Sequence, residues 1–472
     1  MKILVLGGSP KGETSVTMQY VRWIAENLPD HEVRTLQIAS RIGALERDDG
    51  KFAQVIEAVK EADAVLWAFP LYVFTVCSQY KRFIELIRER GVEGSFAGKY
   101  AASLSTSIHF FDNTAHQYIR EVSEDLGMAF TGSFSPKMDD LRKGECRRQL
   151  LVFAQGLAKA AEERLPMPRR SAPLPKHEPP RASAFEETGT AGRKPDDEAG
   201  GKKTLVLVDY PELAVGAMAR RFAGAVSARG TKVEVLALEE MGMKGGCLGC
   251  LKCGQANRCA YEGKDGFIDA FRSKVATADL LVFAGTTRDR ALSARWKAFL
   301  DRAFFNTHQA VLRGKQFLFL VSGPLSRLDN LRQTLTGYVE WQGGNLVDLV
   351  SDEVDTGPEL DALLDAAAER CATALASGEM KPATFLSVGG MKIFRDAIYG
   401  ELRIVFKGDH RAYKREGVYD FPQRHPLKRI AVWLGYWITS IPAVYRGMIR
   451  DFPALMLMPY KSIFAKKGSS PS

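Results

Sequence analysis

Cysteine is scarce in this 472-residue chain, and three of the seven, Cys77, Cys146 and Cys371, are scattered singly. That spacing excludes a disulfide framework and fits a reducing compartment. A secretory leader is not expected either, because the apolar run in "MKILVLGGSPKG" breaks after a few residues at a Gly-Gly pair, too short for a signal-peptide core. Cytoplasm is the expected location. A uniformly basic surface is also missing. The net charge is +9, but 16 Lys/Arg against 6 Asp/Glu fall between Lys381 and the C-terminus, which leaves the rest near neutral and excludes a nucleic-acid-type surface. No Ser-His-Asp set or carboxylate pair stands out, so no side chain is assigned as a catalytic acid, base or nucleophile.

What is present is length and alternation. A chain of 472 residues exceeds what one core usually supports, so two domains plus extra segments are expected. The stretch Leu165 to Lys203 holds seven prolines and almost no aliphatic periodicity, which predicts a disordered linker. On both sides, β-rich runs such as "KILVLGG" and "AVLWAF" alternate with helical patterns such as "FAQVIEAVKEA". This predicts doubly wound parallel sheets with helices on both faces. A shift of 216 residues lays "EADAVLWAF" on "TADLLVFAG", "KRFIE" on "KAFLD" and Gly127 on Gly343; the flanks are read as two unequal copies of one domain. The expected organisation is a domain over 1–164, the linker 165–203, a second domain over 204–380 and a basic, aromatic-rich extension over 381–472.

In the first copy, strand one runs into "GGSPKGETSVT" (7–17) and then a helix. Backbone N–H groups at a helix N-terminus, with Ser9, Thr14, Ser15 and Thr17 hydroxyls nearby, suit a dianionic phosphate; a capped helix start without a ligand is the plainer reading. The turn "FPLYVF" ends strand three, where such sheets bind ligands, and its Pro-x-Tyr can frame a flat ring. "STSIHFFDN" (105–113) follows strand four and can close the ring's other side, with His109 read as a surface or packing residue.

The order of strand, "GSP" loop, "P-x-Y" turn, "K-x-F-x-D-R" helix and "G-K" strand, with a Cys-rich loop, resembles the NADPH-dependent FMN reductase-like group of the flavodoxin-like fold. Its cysteine-bearing members are the iron-sulfur flavoproteins. The likeness covers roughly residues 1–160 and 203–378. It implies FMN phosphate contacts at Ser9, Lys11, Ser15 and Thr17, and ring contacts at Pro70, Leu71, Tyr72, Val73, Thr106 and Ser107. Val16 departs from the Asn often found there.

The second copy has lost these features: its first loop reads "VDYPELAVGAM", where Asp209 and Glu212 would repel a phosphate, and Thr286 and Arg288 stand for Pro70 and Tyr72. It carries instead "GGCLGCLKCGQANRC", with Cys247, Cys250, Cys253 and Cys259. That compact spacing suits a [4Fe–4S] cluster; structural zinc, which prefers two separated pairs, and a metal-free loop of buried or redox-sensitive thiols stay open.

The expected protein is an FMN-dependent oxidoreductase taking electrons from a donor such as NAD(P)H. From FMN they pass, through a cluster or directly, to a redox partner protein or quinone. A cluster-free quinone or FMN reductase and a non-enzymatic interaction module are the alternatives. The tail run "IAVWLGYWITSIPAVY" (430–445) is sixteen residues without charge, or roughly 24 Å as a helix, short of the roughly 30 Å bilayer core. It is expected to dock on the domains or on a second chain, giving a homo-oligomer, or to lie peripherally on a membrane.

Overall fold

The computed structural model describes residues 1–184, 201–420 and 424–451. Two five-stranded parallel sheets dominate it. The first comprises β1 (Lys2–Gly7), β2 (Glu32–Gln37), β3 (Ala64–Pro70), β4 (Tyr100–Thr106) and β5 (Ala129–Phe134); the second comprises β6 (Lys203–Val208), β7 (Lys232–Ala237), β8 (Leu280–Thr286), β9 (Gln316–Ser322) and β10 (Asn345–Ser351). Their orders, β2-β1-β3-β4-β5 and β10-β9-β8-β6-β7, are one topology read from opposite edges. This is the flavodoxin-like order, with its switch point between first and third strands. The central strands are almost wholly buried, as unbroken Val/Ile/Leu runs covered on both faces must be. Edge strands β2 and β7 stay largely exposed.

The duplication is visible in the numbering. Corresponding strands lie 201 residues apart at the first position, 200 at the second and 216 at the third, fourth and fifth. The extra residues sit between β7 and β8, the connection that holds the four clustered cysteines.

Helices Ser78–Glu89 and Ala294–Ala303 pack the copies together by a reciprocal exchange. The Ser78 backbone N–H donates to Asp301 Oδ2 at 2.7 Å, and the Ala294 backbone N–H donates to Glu85 Oε1 at 2.7 Å. Ser78 and Ala294, like Glu85 and Asp301, are equivalent under the 216-residue shift, so the interface has the self-complementary character of a two-fold dimer within one chain. Each carboxylate also meets a lysine one turn earlier: Lys81 reaches Glu85 at 2.8 Å, and Lys297 bonds Asp301. Lys81 binds Asp289 of the second copy at 3.0 Å as well. Burial alone would lower the Lys81 pKa, but Asp289 and Glu85 reverse this and hold it above its ordinary value. Arg290 adds a bidentate pair to Asp125 at 2.6 and 2.7 Å.

The chain forms two compact units, Met1–Asp409 and the residues from His410 onward, so both sheets share one unit. The expected extension from residue 381 divides between them. Helix Phe385–Tyr399 belongs to the first unit, where Phe394 packs 4.3 Å from Phe110 and 4.2 Å from His308. Of the expected linker, residues 185–200 lie outside the described residues. Residues 165–184 carry no helix or strand, yet polar contacts fix them where burial cannot: Arg169 binds Asp125 at 2.7 Å, and His177 Nε2 meets Asp352 at 2.7 Å.

Replacing Lys81 by Met removes the buried cation that Glu85 and Asp289 share and is expected to cost about 3–5 kcal/mol in denaturant unfolding. Lys60→Met, which breaks an exposed pair with Glu57, is expected to cost less than about 1 kcal/mol.

Candidate functional site

The carboxyl ends of β1, β3 and β4 open into a cavity of about 410 Å³, within the range of small-molecule sites. After β1 the backbone turns at Gly8, where a Cβ would lie 2.7 Å from the Tyr80 ring and 2.9 Å from Phe69 Cβ. The chain can pass only because that position has no side chain. Ser9 is buried and its Oγ accepts from the Lys11 N–H at 3.2 Å. Ser15 sits at the N-cap of helix Val16–Asn27, buried and with no side-chain capping bond. Its hydroxyl is therefore not committed to the helix and faces the cavity with Ser9, Lys11 and Thr14. This cradle combines hydroxyls, an ammonium and a helix N-terminus, the donor set a phosphate requires.

Pro70, Leu71, Tyr72 and Val73 form one wall, and Thr106 and Ser107 the adjoining edge. The two are tied together, since the Leu71 N–H donates to the Thr106 carbonyl at 3.2 Å. Thr17 is the one expected site residue that does not line the cavity; fully buried, it bonds Thr106 Oγ1 at 2.7 Å and positions the edge from behind. Phe74, His109 and Phe111 all have left-handed backbones, with φ of 63°, 65° and 56°. Such conformations cost energy for bulky residues, and packing holds them: Phe74 and Phe111 lie 4.3 Å apart, with Tyr338 and Trp341 of the second copy against Phe74.

Beneath the edge runs a polar chain. His109 Nδ1 and Ser135 Oγ both bond Asp112 Oδ2, at 2.9 and 2.6 Å, and His116 bridges Ser103 and Ser105 at 2.7 and 2.9 Å. Burial opposes ionisation of Asp112, but the bonds from Ser135 and His109 hold its pKa below the ordinary value. His116 is driven down to about 4 by burial and is neutral at physiological pH.

The second copy supplies the roof. Gln79 Nε2 donates to the Cys247 carbonyl at 3.0 Å, and Arg302 grips the Gly245 carbonyl at 2.9 Å while pairing with Asp265. Gly249 (φ 64°) sits so close to Tyr72 that a Cβ would overlap its Oη. The cysteine loop thus lies directly over the ring-framing turn. Cys247, Cys250, Cys253 and Cys259 all line the cavity, but among the described residues no group of three or more His, Cys, Asp or Glu is placed to hold a metal ion. The loop is held by its bonds to Gln79 and Arg302, and its backbone is left-handed at Gly249 and at Leu251 (φ 58°). Burial pushes the Cys247 and Cys253 thiols up to about 12, so as arranged both are protonated at neutral pH.

The equivalent position in the second copy is closed by its own side chains. Asp209 takes the place of Gly8, its N–H bonding the Ala284 carbonyl as Gly8 bonds Ala68. Its carboxylate accepts from the Thr286 N–H at 3.0 Å and Ser293 Oγ at 2.6 Å. Gly285 is the counterpart of Phe69, and a Cβ there would meet Trp296 and Leu292. Burial raises the Asp209 pKa to about 6, and Tyr210 is stacked beneath Arg288 and Arg295.

Several lining residues carried no motif signal: Tyr261, His308, Trp341, Phe394 and Phe406. Their aromatic spacing in sequence reads as ordinary core. Beyond the roof, a mouth of about 490 Å³ adjoins the cavity through Leu251, Cys259 and Val405, and its wall includes Lys252, Arg258 and Lys407. Among the described residues none of these three cations has an ion-pair partner.

The sequence matches a family model described as NADPH-dependent FMN reductase over residues 1–135 and 215–347, more than half of the chain and both copies. No curated protein matches. Similar solved structures include an apo NADH:FMN oxidoreductase, EMOB (18% identity over 34% of this chain and 89% of that one, TM-score 0.30). Others are an NADPH-quinone reductase from P. pentosaceus (14%, 33% and 96%, 0.27) and FerB, an NAD(P)H:(acceptor) oxidoreductase from Paracoccus denitrificans (19%, 34% and 97%, 0.27).

The buried His116 makes the site's floor acid-sensitive. Its folded-state pKa lies below the unfolded value, so the unfolded chain binds the extra proton, and stability present above about pH 6.5 falls as pH approaches 4. The expected loss is roughly 3 kcal/mol, read as the difference in pH-dependent unfolding between the native chain and His116→Gln.

Proposed function

The chain belongs to the NADPH-dependent FMN reductase family, and we propose that it is a flavin oxidoreductase with one FMN, held by the first copy and roofed by the second. The observation that carries this reading is convergence. The hydroxyl-and-ammonium cradle, the Pro-x-Tyr wall and the Thr106–Ser107 edge meet in one cavity, while Asp209 fills the corresponding position of the other copy.

FMN supplies two-electron acceptance from a hydride donor and release of electrons singly or in pairs. The chain's residues bind and orient it. Ser9, Lys11 and Ser15 would hold the phosphate, and Thr17 fixes Thr106 in place. Leu71, Tyr72 and Val73 would face the ring, and the cysteine loop excludes water from above. None of these groups needs to move a proton, in keeping with a buried neutral His116. Electrons would leave the flavin for a quinone or a redox protein.

The donor is read as NADPH, supported by the cationic mouth. A dinucleotide whose nicotinamide enters the cavity would extend its phosphates outward past Leu251, where Lys252, Arg258 and Lys407 supply unpaired positive charge. Charge-assisted bonds to phosphate are strong and need no buried geometry.

Two measurements test this. In FMN titrations of deflavinated protein followed by flavin fluorescence, Ser15→Ala is expected to weaken binding about tenfold or more, the worth of one hydrogen bond to a charged group. Unchanged affinity in both Ser15→Ala and Lys11→Ala would remove the cradle. In steady-state kinetics, Lys252→Glu with Arg258→Glu is expected to raise the KM for NADPH about tenfold or more while leaving kcat within about twofold.

A further inference from the structure

The helix Pro426–Thr439 in the second compact unit buries none of its residues. Leu427, Ile430, Leu434, Trp437 and Ile441 follow one another at helical spacing and are all exposed, Leu427 by 80%. The opposite side is no more polar: Val432 and Tyr436 are exposed by 62% and 65%. A second helical run starts at Pro442 and continues the pattern with Val444, Tyr445 and Ile449. A helix apolar on all sides is a helix made to be covered.

The charges say by what. Between residues 424 and 451 stand Arg424, Lys428, Arg429, Arg446 and Arg450 against a single acidic residue, Asp451, which pairs with Arg450. The cations flank the uncharged run 430–445 at both ends, so a second copy would bring like charges together in a parallel or an antiparallel pairing. A two-helix seam would also cover only one stripe and leave Val432 and Tyr436 in water. No helix among the described residues is long and apolar enough to cross a membrane; this one spans about 21 Å against a hydrocarbon core of roughly 30 Å.

We propose that this segment docks the protein on an anionic lipid bilayer. The helix is embedded at the headgroup–acyl boundary, with Trp433 and Trp437 in the interfacial zone and the flanking Lys and Arg on acidic headgroups. Rings of this type and cations at helix ends are suited to that depth. The interaction goes beyond the flavin reading and does not depend on it, because lipid binding is measured without donor, acceptor or flavin.

The test is flotation of the full chain with vesicles of dioleoylphosphatidylcholine alone or mixed in equal parts with dioleoylphosphatidylglycerol, together with tryptophan emission. The chain is expected to float with the mixed vesicles, with a blue shift and with binding that falls as salt rises. Lys428→Glu with Arg429→Glu is expected to reduce partitioning about tenfold or more, and Trp433→Asp with Trp437→Asp to abolish the blue shift and most of the binding; thermal unfolding of the first unit checks that both variants fold. No flotation with mixed vesicles overturns the proposal. So does flotation that both double variants leave unchanged. Self-association in light scattering that Trp433→Asp with Trp437→Asp dissolves, without vesicle binding, assigns the helix to a second copy instead.

Discussion

Two buried carboxylates, Glu85 and Asp301, each reach across to the first turn of the other copy's helix and accept its backbone N–H. The seating of the second copy over the first follows from that exchange. It places a helix N-terminus of one copy against a negative charge of the other twice over, and Lys81 and Lys297 neutralise the pair from within their own helices. Buried charges of this kind tolerate little displacement, because a partner lost leaves a carboxylate desolvated. The relative position of the two sheets is thereby fixed, and with it the height of the cysteine loop above Tyr72. Arg302, beside Asp301, carries the constraint onward by gripping the loop at Gly245 and Asp265.

The copies have diverged in a coupled way rather than by simple decay. Gly8 and Phe69 in the first correspond to Asp209 and Gly285 in the second: where one copy has a large ring on the third strand and a bare turn on the first, the other reverses the sizes. Pro70, which has no N–H, becomes Thr286, whose N–H binds Asp209. One copy keeps an open cradle; the other closes its cradle with an internal carboxylate. What the second copy contributes instead is a lid, the loop that lengthens its β7–β8 connection.

Much of this was legible in the sequence. The strand and helix alternation and the constant 216-residue shift come directly from local periodicity, and nine of the ten expected cofactor residues line the cavity because the "GSP" loop and the Pro-x-Tyr turn are local structures. Thr17 differs only in acting through Thr106. The position of the cysteine loop, between β7 and β8, was legible from the run "KVEVLAL" that precedes it. The interface and the aromatic wall from Trp341 and Phe394 were not legible at all. Their contacts join residues hundreds of positions apart, and an apolar stripe in a helix looks the same whether it faces its own sheet or a neighbouring cavity. The division of the extension near Asp409 has the same origin: "MKIFRDAIY" is amphipathic, but only the packed structure shows that Phe394 meets Phe110 and His308.

A single site assembled by two unequal copies makes a quantitative demand on composition. The ratio of flavin to polypeptide, obtained by releasing the cofactor from protein reconstituted with excess FMN and comparing it with amino-acid analysis, tests this most directly. One flavin per chain is the predicted ratio; two would show that the Asp209 position still accepts the cofactor, and none would show that the Ser9 turn does not.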